Sequence, residues 1–174
     1  NPVCARTGTV DSPSAAETYL RAALGADYNA PLVQSFLTHA PRMVAFLESL
    51  PAVAFEPGSH IPDTYGHLPG AGTGGRSVIA APYDGRALGP LIRLLRKPLR
   101  ETTFWGLTIQ AGADLRAFMT MTRSLRSLVH VGRRMTRHLW DLARHGRAMQ
   151  LRNGAALTGR LIRAADDLGV EFRV

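Results

Sequence analysis

Apolar residues recur at Leu125, Leu128, Val129, Met135, Leu139 and Leu142 within the proline-free run Ser124–His145. That i, i+3, i+4 spacing predicts one amphipathic helix, about 33 Å long at its usual rise per residue. Turning about 100° per residue gathers Arg126, Arg133, Arg134, Arg137 and Arg144 on the opposite face, with His130 and His138 beside them. The leucine face is expected to pack inward, and the arginine and histidine face to meet solvent or an acidic partner.

The same reading places other elements. Asp11-Ser12-Pro13 with Glu17 in the first turn opens a helix that Gly25 closes. A second helix is expected from about Pro31 to Leu50, with a kink or break at Pro41. Before Ser14 the chain carries little core material. Val53–Glu56 and Ser77–Ala81 are short strand candidates across a long loop rich in glycine and proline, the kind that is functional or disordered. Arg86–Arg96 reads as helix, and Thr102–Gln110 as a strand on its aromatic and β-branched content. Asp114 is expected to cap a helix through Thr120. After the long helix, stopped by Gly146, come a short strand at Met149–Leu151, a helix at Asn153–Leu168 closed by Gly169, and a strand at Val170–Val174. The fold expected is mainly α with a few short strands (α+β), a single domain packed around the helix 124–145.

Composition narrows the function classes. No apolar run reaches the roughly 18 residues of a membrane span, and the N-terminus lacks the pattern of a signal peptide. Cys4 is the only cysteine, which rules out an internal disulfide framework and a thiolate zinc site and points to a reducing, cytoplasmic setting. The formal charge of +8 raises nucleic acid as a partner. Yet the basic residues are almost all arginine, spread from Arg6 to Arg173 with Lys97 the lone lysine, and no nucleic acid is expected. A basic helical module for nucleic acid or an acidic protein is the rival reading.

The run Gly70-Ala-Gly72-Thr-Gly74-Gly75 matches G-x-G-x-x-G, but a dinucleotide site needs a strand before it and a helix after it. Here His67-Leu68-Pro69 precedes and the strand-like Ser77-Val78-Ile79 follows, so the match is a decoy. His60, His67 and Asp63 share the loop and raise a metal site, against which solvated histidines are the plainer expectation. Tyr65 is a hydroxyl that can serve as acid or hydrogen-bond donor, or simply pack. Arg76, after two glycines, can hold a carbonyl or acidic group, or pin the loop to a carboxylate.

Several segments, taken in order, resemble the FAD-dependent fumarate reductase/succinate dehydrogenase-type flavoproteins, particularly their 3-ketosteroid Δ1-dehydrogenase branch. They are Asp11-Ser12 leading to Tyr19-Leu20-Arg21-Ala22, Ala40-Pro41-Arg42-Met43-Val44, and Pro62-Asp63-Thr64-Tyr65 with Leu68-Pro69-Gly70 and Gly75-Arg76-Ser77. Pro82-Tyr83-Asp84-Gly85-Arg86-Ala87-Leu88-Gly89, Thr122-Arg123-Ser124-Leu125 and Leu151-Arg152-Asn153-Gly154-Ala155-Ala156-Leu157 continue the series. No one motif is specific; order and spacing carry the resemblance.

The resemblance implies an internal portion of a larger flavoprotein, with the Rossmann unit upstream and the capping domain downstream. It implies FAD in the parent, weak or no FAD binding by this chain alone, and a small-molecule substrate oxidised or reduced at a carbon–carbon bond next to a carbonyl. Surfaces exposed by truncation could pair in an oligomer. In the ketosteroid branch a tyrosine after Pro-Asp lines the active site, whereas here Thr64 follows Pro62-Asp63 and Tyr65 comes one place later. Tyr65 is the expected catalytic residue, with Thr64, His67 and Arg76 lining the substrate; the flavin-binding residues are not identified.

Overall fold

A computed structural model describes residues 2–9 and 11–173. It divides into two compact units, 1–79 and 80–174.

The first unit begins with a short helix, α1 (Pro2–Ala5), whose Val3 and Cys4 are buried. The N-terminal segment thus supplies core where its composition promises little. Helix α2 (Pro13–Leu24) is capped by the Ser12 hydroxyl, which accepts from the Ala15 N–H at 3.1 Å, and ends at Gly25. Helix α3 (Ala30–Glu48) starts on the Asn29 side chain and runs through Pro41 as one element, not two. Proline removes one donor, but Val33 and Val44 on either side of it are both buried, and that packing holds both halves in one helix. Strands β1 (Phe55–Pro57) and β2 (Val78–Ala80) pair across the glycine-rich loop.

The second unit opens with β3 (Tyr83–Asp84) and a 3₁₀ run, Gly85–Leu94, which replaces the expected α-helix. Gly89 takes φ 53°, ψ −129° and Pro90 follows, so no regular i→i+4 ladder can pass through. The expected strand over Thr102–Gln110 is instead a hairpin, β4 (Thr103–Phe104) and β5 (Leu107–Thr108). Its turn residues, Trp105 and Gly106, both have positive φ, as a two-residue hairpin of type I′ requires. Tryptophan in that position hides the turn from a reader looking for Asn-Gly.

Helix α4 (Ala113–Thr120) packs on α5 (Leu125–His145). The latter has the predicted ends, the Ser124 hydroxyl at its start and Gly146 in the left-handed region at its close. Strand β6 (Gln150–Leu151) pairs antiparallel with β3 and leads into α6 (Asn153–Asp167). A core of Ala80, Leu88, Leu95, Leu151 and Ala156 joins the 3₁₀ run to α6. Residues 170–173 form no strand, and Val174 lies outside the described residues.

The face of α5 is where the expectation fails. Leu125 and Leu139 are 76% and 53% exposed, and Leu128 and Val129 are exposed as well. The buried positions are Val131, Arg134, His138 and Asp141, spaced 3, 4 and 3 apart along one stripe. His138, expected in solvent, is fully buried, and Arg134 leaves the arginine face for the interior.

The reason is polar pairing. Arg134 donates to the Asp114 carboxylate and, at 3.0 Å, to the Thr108 carbonyl. His138 Nε2 meets the Trp105 carbonyl oxygen at 2.9 Å. Asp141 accepts from Arg86. The helix is still the spine of its unit, but it is joined to α4, the hairpin and the 3₁₀ run by hydrogen-bonded charge rather than by leucine.

Candidate functional site

The residues singled out for chemistry lie in the loop between β1 and β2, and one side chain organises it. Arg76 Nε and Nη2 each donate to one Asp11 oxygen at 3.0 Å, a bidentate fork, while Nη1 reaches Asp63 Oδ2 at 2.5 Å. Asp63 also accepts from the Gly72 N–H at 2.8 Å, and its own N–H donates to the Gly72 carbonyl at 2.9 Å. Two distant carboxylates and the loop backbone are therefore closed on one guanidinium. The hydrogen bonds to Asp11 hold Arg76 above the ordinary arginine pKa against the opposing effect of burial. Its pairing with carboxylates makes it the clamp of the loop, the second of the two roles its sequence context allowed.

Asp63 is thereby committed to Arg76 and Gly72 rather than to His60 or His67. Among the described residues no three His, Cys, Asp or Glu side chains converge on a point that could hold a metal.

The glycines have a packing explanation. A Cβ at Gly70 would stand 2.5 Å from the Ala15 carbonyl oxygen, and one at Gly74 would stand 2.0 Å from that of Ser59. Protein atoms close on Gly70 and Gly74 where side chains would go, and strand β2 follows where a helix would have to start. This glycine run does not fit the flavin.

Tyr65 is 52% exposed, its ring edge-to-face with His67 at 6.4 Å between centroids. Its backbone N–H donates to the Tyr19 hydroxyl at 3.3 Å, which ties the loop tip to α2. Thr64 and His67 are exposed alongside it. The tip thus presents a hydroxyl, a phenol and an imidazole to solvent on a backbone anchored from below. Beneath the clamp, a cavity of about 270 Å³ is lined by Tyr19, Leu20, Phe36, Val44, Asp63 and Arg76. Arg76 lines it; Tyr65 does not.

A second charged centre, in residues 80–174, has no counterpart in the sequence reading. Asp114, turned inward from the second residue of α4 rather than capping it, accepts from Arg134, from His130 Nε2 at 2.8 Å and from the Gln110 N–H at 3.0 Å. Burial pushes the Asp114 carboxyl up, but the hydrogen bonds from His130, Gln110 and Arg134 outweigh it and leave its pKa below the ordinary value. Arg137, on the predicted arginine face, pairs with Asp84 at 2.8 Å. Two of the five arginines on the predicted face, Arg134 and Arg137, are thus paired within their own unit. The signal that could have found this centre is the 3-4-3 stripe itself, had polar residues been admitted to a core.

Comparison with known proteins agrees with this architecture. Residues 2–174 match the FAD binding domain family. The chain is 34% identical over 169 residues to 4-oxocyclohex-2-ene-1-carboxylate 5-dehydrogenase of Sinomonas cyclohexanicum, covering 96% of this chain and 29% of that protein. It is 33% identical over 100 residues to 3-oxosteroid 1-dehydrogenase of Mycolicibacterium smegmatis, 56% of this chain and 17% of that one. Among solved structures, that of 3-ketosteroid Δ1-dehydrogenase from Sterolibacterium denitrificans in complex with 1,4-androstadiene-3,17-dione superposes with a TM-score of 0.76 at 26% identity, over 93% of this chain and 29% of that one.

The fold and the matching sequence are of the flavoprotein class. The chain belongs to the FAD binding domain family, with FAD as the cofactor of the parent protein. It spans less than a third of the length of these curated relatives. No helix among the described residues is long and apolar enough to cross a membrane.

Proposed function

We propose that this chain is an internal portion of an FAD-dependent dehydrogenase or reductase acting on a carbon–carbon bond next to a carbonyl of a small molecule. The observation that carries this is the 34% identity over 96% of the chain to a dehydrogenase whose name specifies a cyclic oxo acid. The 3-oxosteroid relatives, named as dehydrogenases of an oxo compound, support the same reading. FAD would supply the redox chemistry, held by parts of the parent outside the glycine run described here.

The contribution of these residues is on the substrate side. Tyr65 projects from an anchored loop tip, and its hydroxyl is the group that would donate to, or take a proton from, the substrate next to its carbonyl. Thr64 and His67 flank it. Arg76 positions the loop by holding Asp11 and Asp63 and lines the cavity below. The lone cysteine, Cys4, donates to the Ser77 carbonyl at 3.4 Å and supports a reducing, cytoplasmic setting for the parent.

Changing Tyr65→Phe in the FAD-loaded parent is expected to lower kcat about 10²-fold, at the low end for a lost general acid or base. Unchanged turnover and substrate affinity would show that Tyr65 only packs. The class itself is tested more simply: the parent should purify yellow, and a colourless protein that FAD cannot reconstitute would end the reading.

A further inference from the structure

Within residues 80–174 lies a half-open cavity of about 510 Å³ that the proposed chemistry does not use. Arg96, Lys97, Arg100 and Arg147 contribute to its wall, and no aspartate or glutamate does. Arg147 is the telling member. Its guanidinium is partly buried, with Nη1 and Nη2 donating to the Ile92 and Leu95 carbonyls at 2.7 and 2.9 Å, and it pairs with no carboxylate among the described residues. Its Nε is buried without a hydrogen-bond partner. Burial lowers its pKa from the ordinary arginine value, as it does for a charge that lacks a counter-ion.

Arg96 and Arg100 are exposed and also carry no ion pair among the described residues. The remaining wall is apolar, with Leu95, Leu142, Leu151 and Ala155, and Trp105 stands at the edge on its hairpin turn. A buried cation costs free energy unless an anion compensates it. The guanidinium forks of Arg76 and Arg134, by contrast, each meet a carboxylate.

We propose that this cavity binds a small organic carboxylate, the anion set against Arg147 and Arg100 and an apolar ring seated between Leu95, Leu142 and Trp105. This does not depend on the assignment of Tyr65, which belongs to the other unit. Free carboxylate and phosphate share the charge the cations recognise; the apolar wall favours the carboxylate with a hydrocarbon body.

Calorimetric titration of the FAD-loaded parent with benzoate, benzamide and inorganic phosphate tests it. Benzoate should bind about tenfold or more tightly than either other probe and weaken as salt is added. Arg147→Met and Arg100→Gln should each reduce benzoate affinity by about tenfold, since each removes a charge-assisted contact. Tyr65→Phe should leave it unchanged. Arg100 is exposed, so Arg100→Gln carries the test should Arg147→Met fail to fold. Equal affinity for benzamide or phosphate, indifference to Arg100→Gln, or loss of benzoate binding in Tyr65→Phe overturns the proposal.

Discussion

The loop of the first unit and the long helix of the second are held by the same device in opposite settings. Arg76 closes an irregular, glycine-rich loop by gripping Asp11 and Asp63, both far from it in sequence. Arg134 and Arg86 fix a regular helix by gripping Asp114 and Asp141. In the loop, the device substitutes for secondary structure. In the helix, it decides which side of an already stable element faces in, and it overrides a leucine stripe.

The difference teaches that hydrophobic periodicity predicts the existence of a helix more securely than its orientation. A buried, fully paired arginine with an aspartate can claim the interior, provided that every donor finds an acceptor.

The largest effect should come from breaking the more buried pair. Asp114→Ala leaves Arg134, only 5% exposed, without its carboxylate, and should cost about 3–5 kcal/mol in denaturant unfolding. A cost near zero would mean that Arg134 escapes to solvent and that the orientation of α5 is not set there. Arg76→Lys in the loop keeps the charge but loses the bidentate fork on Asp11. A loss of about 1–2 kcal/mol is expected, smaller because the cluster is partly wetted and one contact survives. If Arg76→Lys proved as costly as Asp114→Ala, the contrast between the two regions would collapse.

Acid gives a second test of the Asp114 pair. The Asp114 pKa is lowered in the folded protein, so its contribution is fully present above the unfolded aspartate value of about 3.9 and is lost as pH falls through the lower folded value. Unfolding free energy should therefore drop on acidification below about pH 4, and the drop should be reduced in Asp114→Asn. An undiminished acid transition in that variant would assign the effect to other carboxylates.

Much of the fold was legible in local signals. Ser12 caps a helix, and Gly25 and Gly146 end two, because capping is chemistry between neighbours that a sequence displays. The decoy character of Gly70–Gly75 was equally legible, since strand and helix stand in the wrong order around it. What escaped was long-range or unusual. Arg134 and Asp114 are 20 residues apart, and nothing local announces their meeting. Trp105 at φ 52° breaks the turn rule that would have split the strand into a hairpin. Of the candidate site, the loop and Arg76 were visible, whereas the partners that fix Arg76 were not: Asp11 stood out only at a helix start, and Asp63 only as a loop neighbour of His60 and His67.

The smallest expected effect is the sharpest test of the orientation of α5. Leu139 has the place in the leucine stripe that periodicity would bury, yet it is 53% exposed. Leu139→Ser should change the stability of this chain by no more than about 0.5 kcal/mol, the scale of a surface substitution, against several kcal/mol for a core leucine. The same change in the parent protein gives a second reading. A cost there of about 2 kcal/mol or more, beside a negligible one in the chain, would show that parent segments cover the leucine face. A large cost in the chain itself would restore the periodicity argument and return His138 and Arg134 to solvent.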